Sequence, residues 1–280
     1  MAPRGHPGRD AHAVPGNTGT KGERMELYHN NMSVCAQKVR VVLAEKGLKP
    51  IEHHLNLRAG ESHTPDYLKL NPKGVVPTLI DRGEPIIEST IISEYLDDVQ
   101  PEPALRPADP ILRSKMRKWT MVPDTGLHRA CATVTFAIAF RHQEQSKQLA
   151  ALSPREREER LERNRLGLDA PGAAGAVLHH VKVLDDMAAQ LAKTAWLAGD
   201  QYSLADTAVL PYVIRLEHLR QDWLWDGGER AAVGDWLKRS KARKGFAGIA
   251  DYVDPKYIEL MTPTGNEARP KVEEIVARGT

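Results

Sequence analysis

Two short stretches of the chain carry residues that could seize a small molecule. The first is Val76-Pro77, where a proline interrupts the apolar run of Val75, Val76, Thr78, Leu79 and Ile80. Those residues are β-branched or aliphatic and suit a buried strand. A trans proline inside a strand removes a ladder hydrogen bond. A proline kept there points to a cis bond that turns the Val76 backbone outward. An outward-facing N–H and C=O can pair with an extended peptide, as an added strand would. The second stretch, Glu88-Ser89, sets a carboxylate and a hydroxyl where a helix begins, with Ser89 as the expected N-cap. The carboxylate can take an ammonium, and the helix N-terminus can take a carboxylate. Together the two stretches describe a socket for a small zwitterionic peptide.

Positioning them takes a strand, a turn, a return strand and a helix. Asp81-Arg82-Gly83-Glu84 supplies the turn, with Gly83 able to take positive φ, and Pro85, Ile86 and Ile87 make the return strand. Upstream, Glu26–Asn30 reads as a strand and Asn30–Cys35 as a polar turn. Ala36–Lys46 reads as a helix with Val39, Val42 and Leu43 on its apolar face and Gly47 at its end. Ile51–Leu57 reads as a second strand and Thr64–Leu70 as a short helix, so residues 25–98 run β-α-β-α-β-β-α.

Beyond them, residues 99–110 hold four prolines and read as a stiff linker. Residues 111–280 are patterned as helix. Ile111–Gln145 is long enough for one or two extended helices. Ser153, Pro154 and Glu156 form a helix start with a capping box, and Ser203 to Asp206 form another, opening an apolar helix through Leu219. Gly167–Gly175 breaks the pattern, Val177–Leu191 resumes it, Trp236–Phe246 reads as a short helix, and the polar last residues are expected to be loose. Residues 1–24, rich in Gly and Pro, are expected to be a disordered tail.

Composition narrows the function. A chain of 280 residues with 41% hydrophobic and 27% charged residues is that of a soluble globular protein. A net charge of +2 gives no reason to expect nucleic acid or an anionic membrane. No apolar run approaches a membrane span of about 18 residues. Cys35 and Cys131 provide no disulfide framework, which fits a reducing cytoplasm. The adjacent pairs His53-His54 and His179-His180 point apart, and no metal site is expected.

The run Val-Val-Pro-Thr-Leu, followed by Ile-Ile-Glu-Ser-Thr, resembles the glutathione-binding half of soluble glutathione transferases. The resemblance extends over residues 25–250 or so. It implies an α/β thioredoxin-like N-terminal domain (25–98) and an all-α C-terminal domain (111–280) holding the electrophile pocket. It also implies glutathione as co-substrate and a homodimer. Residues 88–117 are particularly similar to the bacterial β-etherase branch, which cleaves aryl ethers, and the segment between Gln145 and Val177 resembles its enlarged helical domain. The turn Ser-x-Cys-x-x-Lys-Val-Arg, from Ser33 to Arg40, is nearer the zeta class.

The resemblance assigns roles. A glutathione enzyme must hold its substrate as thiolate, since thiolate is the nucleophile. Ser33, just before the first helix, matches the catalytic serine that donates a hydrogen bond to sulfur; taken alone it reads as a turn or capping serine. Asn31 is a second donor near sulfur or a plain turn residue. Glu88 and Ser89 take the γ-glutamyl end, Val76 with Pro77 the cysteinyl backbone, and Lys73 the glycyl carboxylate. Met32, Trp119, Val122 and Leu127 are expected in the pocket for a hydrophobic electrophile, with Asp124 reaching across a dimer cleft. Cys35 reads as a small buried hydrophobe, with a redox role as its alternative. The expected activity is thiolate attack on a hydrophobic or aromatic electrophile, with β-aryl ether cleavage as one form. The alternatives are a non-catalytic glutathione-binding module and a Cys35-dependent thiol reductase.

Overall fold

Glu26–His29 (β1) and Ile51–His54 (β2) lie parallel, a pairing that needs a crossover, and the helix Val34–Lys46 (α1) supplies it. The computed structural model describes residues 25–141, 143 and 152–279; the expected tail and the expected helix end at Gln145 lie outside them. Pro65–Leu70 (α2) follows, capped by Thr64. Thr78–Asp81 (β3) then runs antiparallel to β1, and Glu84–Ile87 (β4) antiparallel to β3, giving the order β2-β1-β3-β4. Between them Arg82 and Gly83 have φ of 51° and 81°, the two left-handed residues that a tight hairpin turn takes.

These strands are shorter than the sequence suggests. The second ends at His54 because the Asn56 side chain accepts the Arg58 and Ala59 N–H groups and starts a 3₁₀ turn. The third begins only at Thr78, because Pro77 has no N–H to give the ladder; Val75 and Val76 lie before the strand.

Helix α1 starts at Val34, two residues earlier than expected, with Ser33 as its cap, and Gly47 ends it at φ 69°. Val39, Val41, Val42 and Leu43 are buried in the core. The short helix Ala247–Ala250 touches α1 where Gly248 meets Arg40, and a Cβ there would lie 2.4 Å from the Arg40 carbonyl oxygen. The buried Arg40 guanidinium donates to the Gly248, Asn30 and Asn31 carbonyls. One side chain thus clamps the turn before α1 to the helical half.

Ser89–Val99 (α3) closes the sheet domain, and buried Asp97 joins it to Lys46 and Arg106 across the linker. Pro110–Val122 (α4), capped by Asp109, passes through a π turn at Pro123–Leu127 into His128–Thr135 (α5), and a second π turn covers Phe136–Phe140. Pro154–Leu166 (α6) has the expected capping box of Ser153 and Glu156. Ala173–Leu191 (α7) starts four residues before the expected Val177. Leu204–His218 (α8) carries the second capping box, Ser203 with Asp206, and Ala231–Lys241 (α9) follows.

The last residues are not loose. Pro255–Gly279 forms a 25-residue helix, here α10, the short Ala247–Ala250 turn being left unlabelled. Met261, Gly265, Val272 and Ile275 are buried, an i, i+4, i+11, i+14 stripe that Pro263, Pro270 and the charged residues between them conceal. Gly265 lies against the Leu219 carbonyl, and the Gln221 side chain donates to its carbonyl at 3.0 Å.

Candidate active site

The Val76–Pro77 peptide bond is cis. The Val75 carbonyl is held by the Tyr67 hydroxyl at 2.6 Å and Asn71 Nδ2 at 2.9 Å, which ties the loop to α2. Among the described residues the Val76 N–H and C=O take no hydrogen bond. Both are left for a partner.

Glu88, at φ 70°, is the N-cap of α3, and Ser89 is already its first helical residue, which corrects the expected cap. The reason is local: the Glu88 carbonyl accepts the Ile92 N–H at 2.8 Å, so the helix begins one residue earlier than the hydroxyl suggested. No side chain caps this first turn, so its N–H groups can receive an anion. Lys73 Nζ donates to Glu88 Oε1 at 2.6 Å; the lysine expected to meet a carboxylate is engaged with one of the protein's own.

Two cavities meet at this loop. One, of about 1150 Å³, is lined by Lys73, Pro77, Glu88, Ser89, Asp124 and Cys35 among others. The other, of about 420 Å³, is lined by Met32, Ser33, Phe136, Phe140, Tyr257 and Arg215 among others. Val75, Val76 and His128 line both, so the cis-proline loop is the wall between them.

Ser33 Oγ accepts the Ala36 N–H at 3.3 Å, which uses an oxygen lone pair and leaves the hydroxyl proton to donate elsewhere. The capping and donor roles are therefore compatible. Asn31 lines neither cavity; its carbonyl accepts from Arg40 at 2.8 Å, and its neighbour Asn30 lines the smaller cavity instead. Met32 is in that lining. Trp119 and Leu127 are packed in the core and line neither cavity, while Val122 borders a separate hollow with Pro110 and Met121. Asp124 faces the larger cavity within its own chain and accepts from Thr90 at 2.8 Å.

Cys35 packs against the hydrophobic core, as expected of a small apolar side chain, but is only partly buried. Its Sγ lies 3.4 Å from His128 Nδ1 on α5 and 3.7 Å from the Tyr212 hydroxyl on α8, and it faces the larger cavity. Burial alone would push the thiol up. The His128 hydrogen bond and the charges of His128 and Lys38 outweigh it, leaving Cys35 below the ordinary thiol range. The bond to Cys35 in turn raises His128. Sequence reasoning missed His128, Tyr212 and Arg215, which sit in no motif and reach the site only through the packing of α5 and α8.

The glutathione S-transferase N-terminal domain model matches residues 23–98, and the C-terminal domain model matches residues 170–239; together they cover just over half of the chain. The chain belongs to the glutathione S-transferase family. It is 26% identical to the crystal structure of the β-etherase LigF from Sphingobium sp. strain SYK-6, with a TM-score of 0.67 over 82% of this chain and 98% of that one. A stringent starvation protein A homolog of Haemophilus ducreyi is 28% identical over 84% of this chain and 93% of its own length. A maleylacetoacetate isomerase of Pseudomonas aeruginosa is 44% identical over 96 residues, which are 33% of this chain and 45% of that protein.

Proposed function

We propose that this chain is a glutathione-dependent transferase whose bound thiolate attacks an aromatic electrophile. The observation that carries the reading is convergence on one loop: an unpartnered Val76 backbone, an uncapped α3 N-terminus with Glu88 and Ser89, and a Ser33 hydroxyl with its proton uncommitted. Glutathione supplies the sulfur nucleophile. A free thiol with pKa about 8.5 is only a few per cent ionised at neutral pH. Ser33 donates to the sulfur, and the positive end of α1 adds to it; both favour the charged form. The bond to sulfur then forms as the bond to the leaving group breaks. Met32, Phe136, Phe140 and Tyr257 offer an apolar wall for a ring.

Aryl ether cleavage is the finer form of the proposal, supported by the likeness to a β-etherase. Membership of a family that is often dimeric supports a homodimer, and the cysteine usage that fits a reducing compartment supports a cytoplasmic one. Incubation with glutathione and a panel of β-aryl ethers and aryl halides tests the reading: release of phenol or halide that falls about 100-fold in Ser33→Ala supports it, and wild-type rates in that variant contradict it.

The contact between Cys35 and His128 favours a second reading, a thiol reductase. Cys35 thiolate would attack the glutathionyl sulfur of a mixed disulfide, and the expelled thiolate would take a proton from His128. A further glutathione thiolate would then break the Cys35–glutathione disulfide, releasing glutathione disulfide and the Cys35 thiolate.

A further inference from the structure

Arg215, on α8, is 6% exposed and lines the smaller cavity. Its NH2 group donates to the Met32 carbonyl at 2.6 Å, its Nε is buried without a partner, and it forms no ion pair among the described residues. A buried guanidinium held by one neutral acceptor leaves most of its five N–H donors unmatched and carries a large desolvation cost. Nothing in the cavity wall offsets that charge: Arg58 is a second cation there, and no aspartate or glutamate is among the described lining residues. Arg58 packs over the rings of Phe140 at 5.2 Å and Tyr257 at 5.5 Å, on the side of the cavity where the aromatic residues gather. The smaller cavity thus combines an apolar and aromatic lining with two cations, Arg58 and Arg215, and no carboxylate among its described lining residues.

We propose that the electrophile is an aromatic carboxylate, whose ring packs among Met32, Phe136, Phe140 and Tyr257 and whose carboxylate pairs with Arg215. This rests on the transferase reading and narrows its substrate class from aromatic to anionic aromatic. A carboxylate matches the fork of the guanidinium and brings the charge the cavity lacks. Because Arg215 also holds the carbonyl of Met32, next to Ser33, the paired carboxylate would lie beside the turn that carries the thiolate donor. A carboxylate-bearing substrate and the sulfur would then share one short stretch of backbone as their reference.

Binding tests this without turnover. With the protein saturated by S-methylglutathione, calorimetric titration should show benzoate binding about 10- to 100-fold more tightly than benzamide, the range that charge-assisted hydrogen bonds supply. Arg215→Gln and Arg215→Met should abolish that preference. The methionine variant replaces an unpaired buried charge by an apolar chain and is expected to fold even if the glutamine variant does not. In kinetics, the ratio of kcat/KM for 4-(chloromethyl)benzoate to that for its methyl ester should be about 10 or more and fall toward 1 in the same variants. Equal binding of benzoate and benzamide, a preference that survives without Arg215, or displacement of benzoate by S-methylglutathione would overturn the proposal. Selective benzoate binding without any conjugation would instead refute the transferase reading and leave the anion site standing.

Discussion

Cys35 Sγ and His128 Nδ1 lie 3.4 Å apart across 93 positions of sequence, with the Tyr212 hydroxyl 3.7 Å from the same sulfur. The contact joins the first helix of the sheet domain to the helical half, on the wall of the cavity that also holds Glu88 and Ser89. It is the contact on which the second proposed sulfur chemistry rests, beside the one proposed for Ser33.

Alkylation by iodoacetamide reads that pair. Burial raises the Cys35 thiol, but His128 and Lys38 bring it below the ordinary range, so the rate should reach half its maximum below a free cysteine's value of about 8.5. His128→Ala removes the hydrogen bond and the charge, burial then dominates, and the midpoint should move upward. An unchanged midpoint would show that His128 does not act on the thiol. Cys131, fully buried and pushed up by burial, should stay unlabelled in the folded protein.

Ser33 caps α1 and is proposed as the donor to sulfur, and two substitutions separate the roles. Ser33→Ala should cost about 1 kcal/mol of stability through the lost cap, and most of the turnover. Ser33→Asp keeps a capping oxygen but has no hydroxyl proton and places a charge beside the thiolate. It should hold its urea midpoint and still lose turnover. Activity in Ser33→Asp would assign the serine to the fold alone.

Gly265 is a glycine in mid-helix, where alanine would ordinarily stabilise by about 1 kcal/mol. Here a Cβ would lie 2.0 Å from the Leu219 carbonyl oxygen, a backbone atom that cannot swing aside. Gly265→Ala should therefore destabilise by about 1–3 kcal/mol in urea unfolding. A gain in stability would mean that the last helix does not pack as described.

Asp206 is fully buried and accepts from Trp236 Nε1, the Leu197 N–H and the Ser203 N–H. Burial raises its pKa to about 6 against the pull of those bonds. The fold therefore binds this proton more tightly than the unfolded chain does. The associated stability is complete below the unfolded value of about 3.9 and lost as pH rises through 6. Relative to Asp206→Asn, the wild type should lose about 2 kcal/mol between pH 4 and pH 7, measured by urea unfolding. A constant difference would indicate that the hydrogen bonds cancel the burial.

What could be read in advance was local. The two capping boxes need only residues three apart, and the cis bond at Pro77 could be read because that proline interrupts the apolar run from Val75 to Ile80. The final helix was hidden because its apolar stripe is thin and crossed by Pro263 and Pro270, and packing against Leu219 rather than propensity holds it. The Cys35–His128 and Arg215–Met32 contacts span 93 and 183 positions. No spacing rule reaches that far. Trp119 and Leu127 show the opposite failure: their side chains suit a pocket, yet helix phase turns them into the core.

The most direct test of the central claim is the ionisation of bound glutathione, followed by ultraviolet thiolate absorbance against pH. The transferase account predicts a thiol pKa clearly below that of free glutathione, and a return toward the free value in Ser33→Ala. Binding with an unshifted pKa would contradict it and leave Cys35 as the site's only activated sulfur.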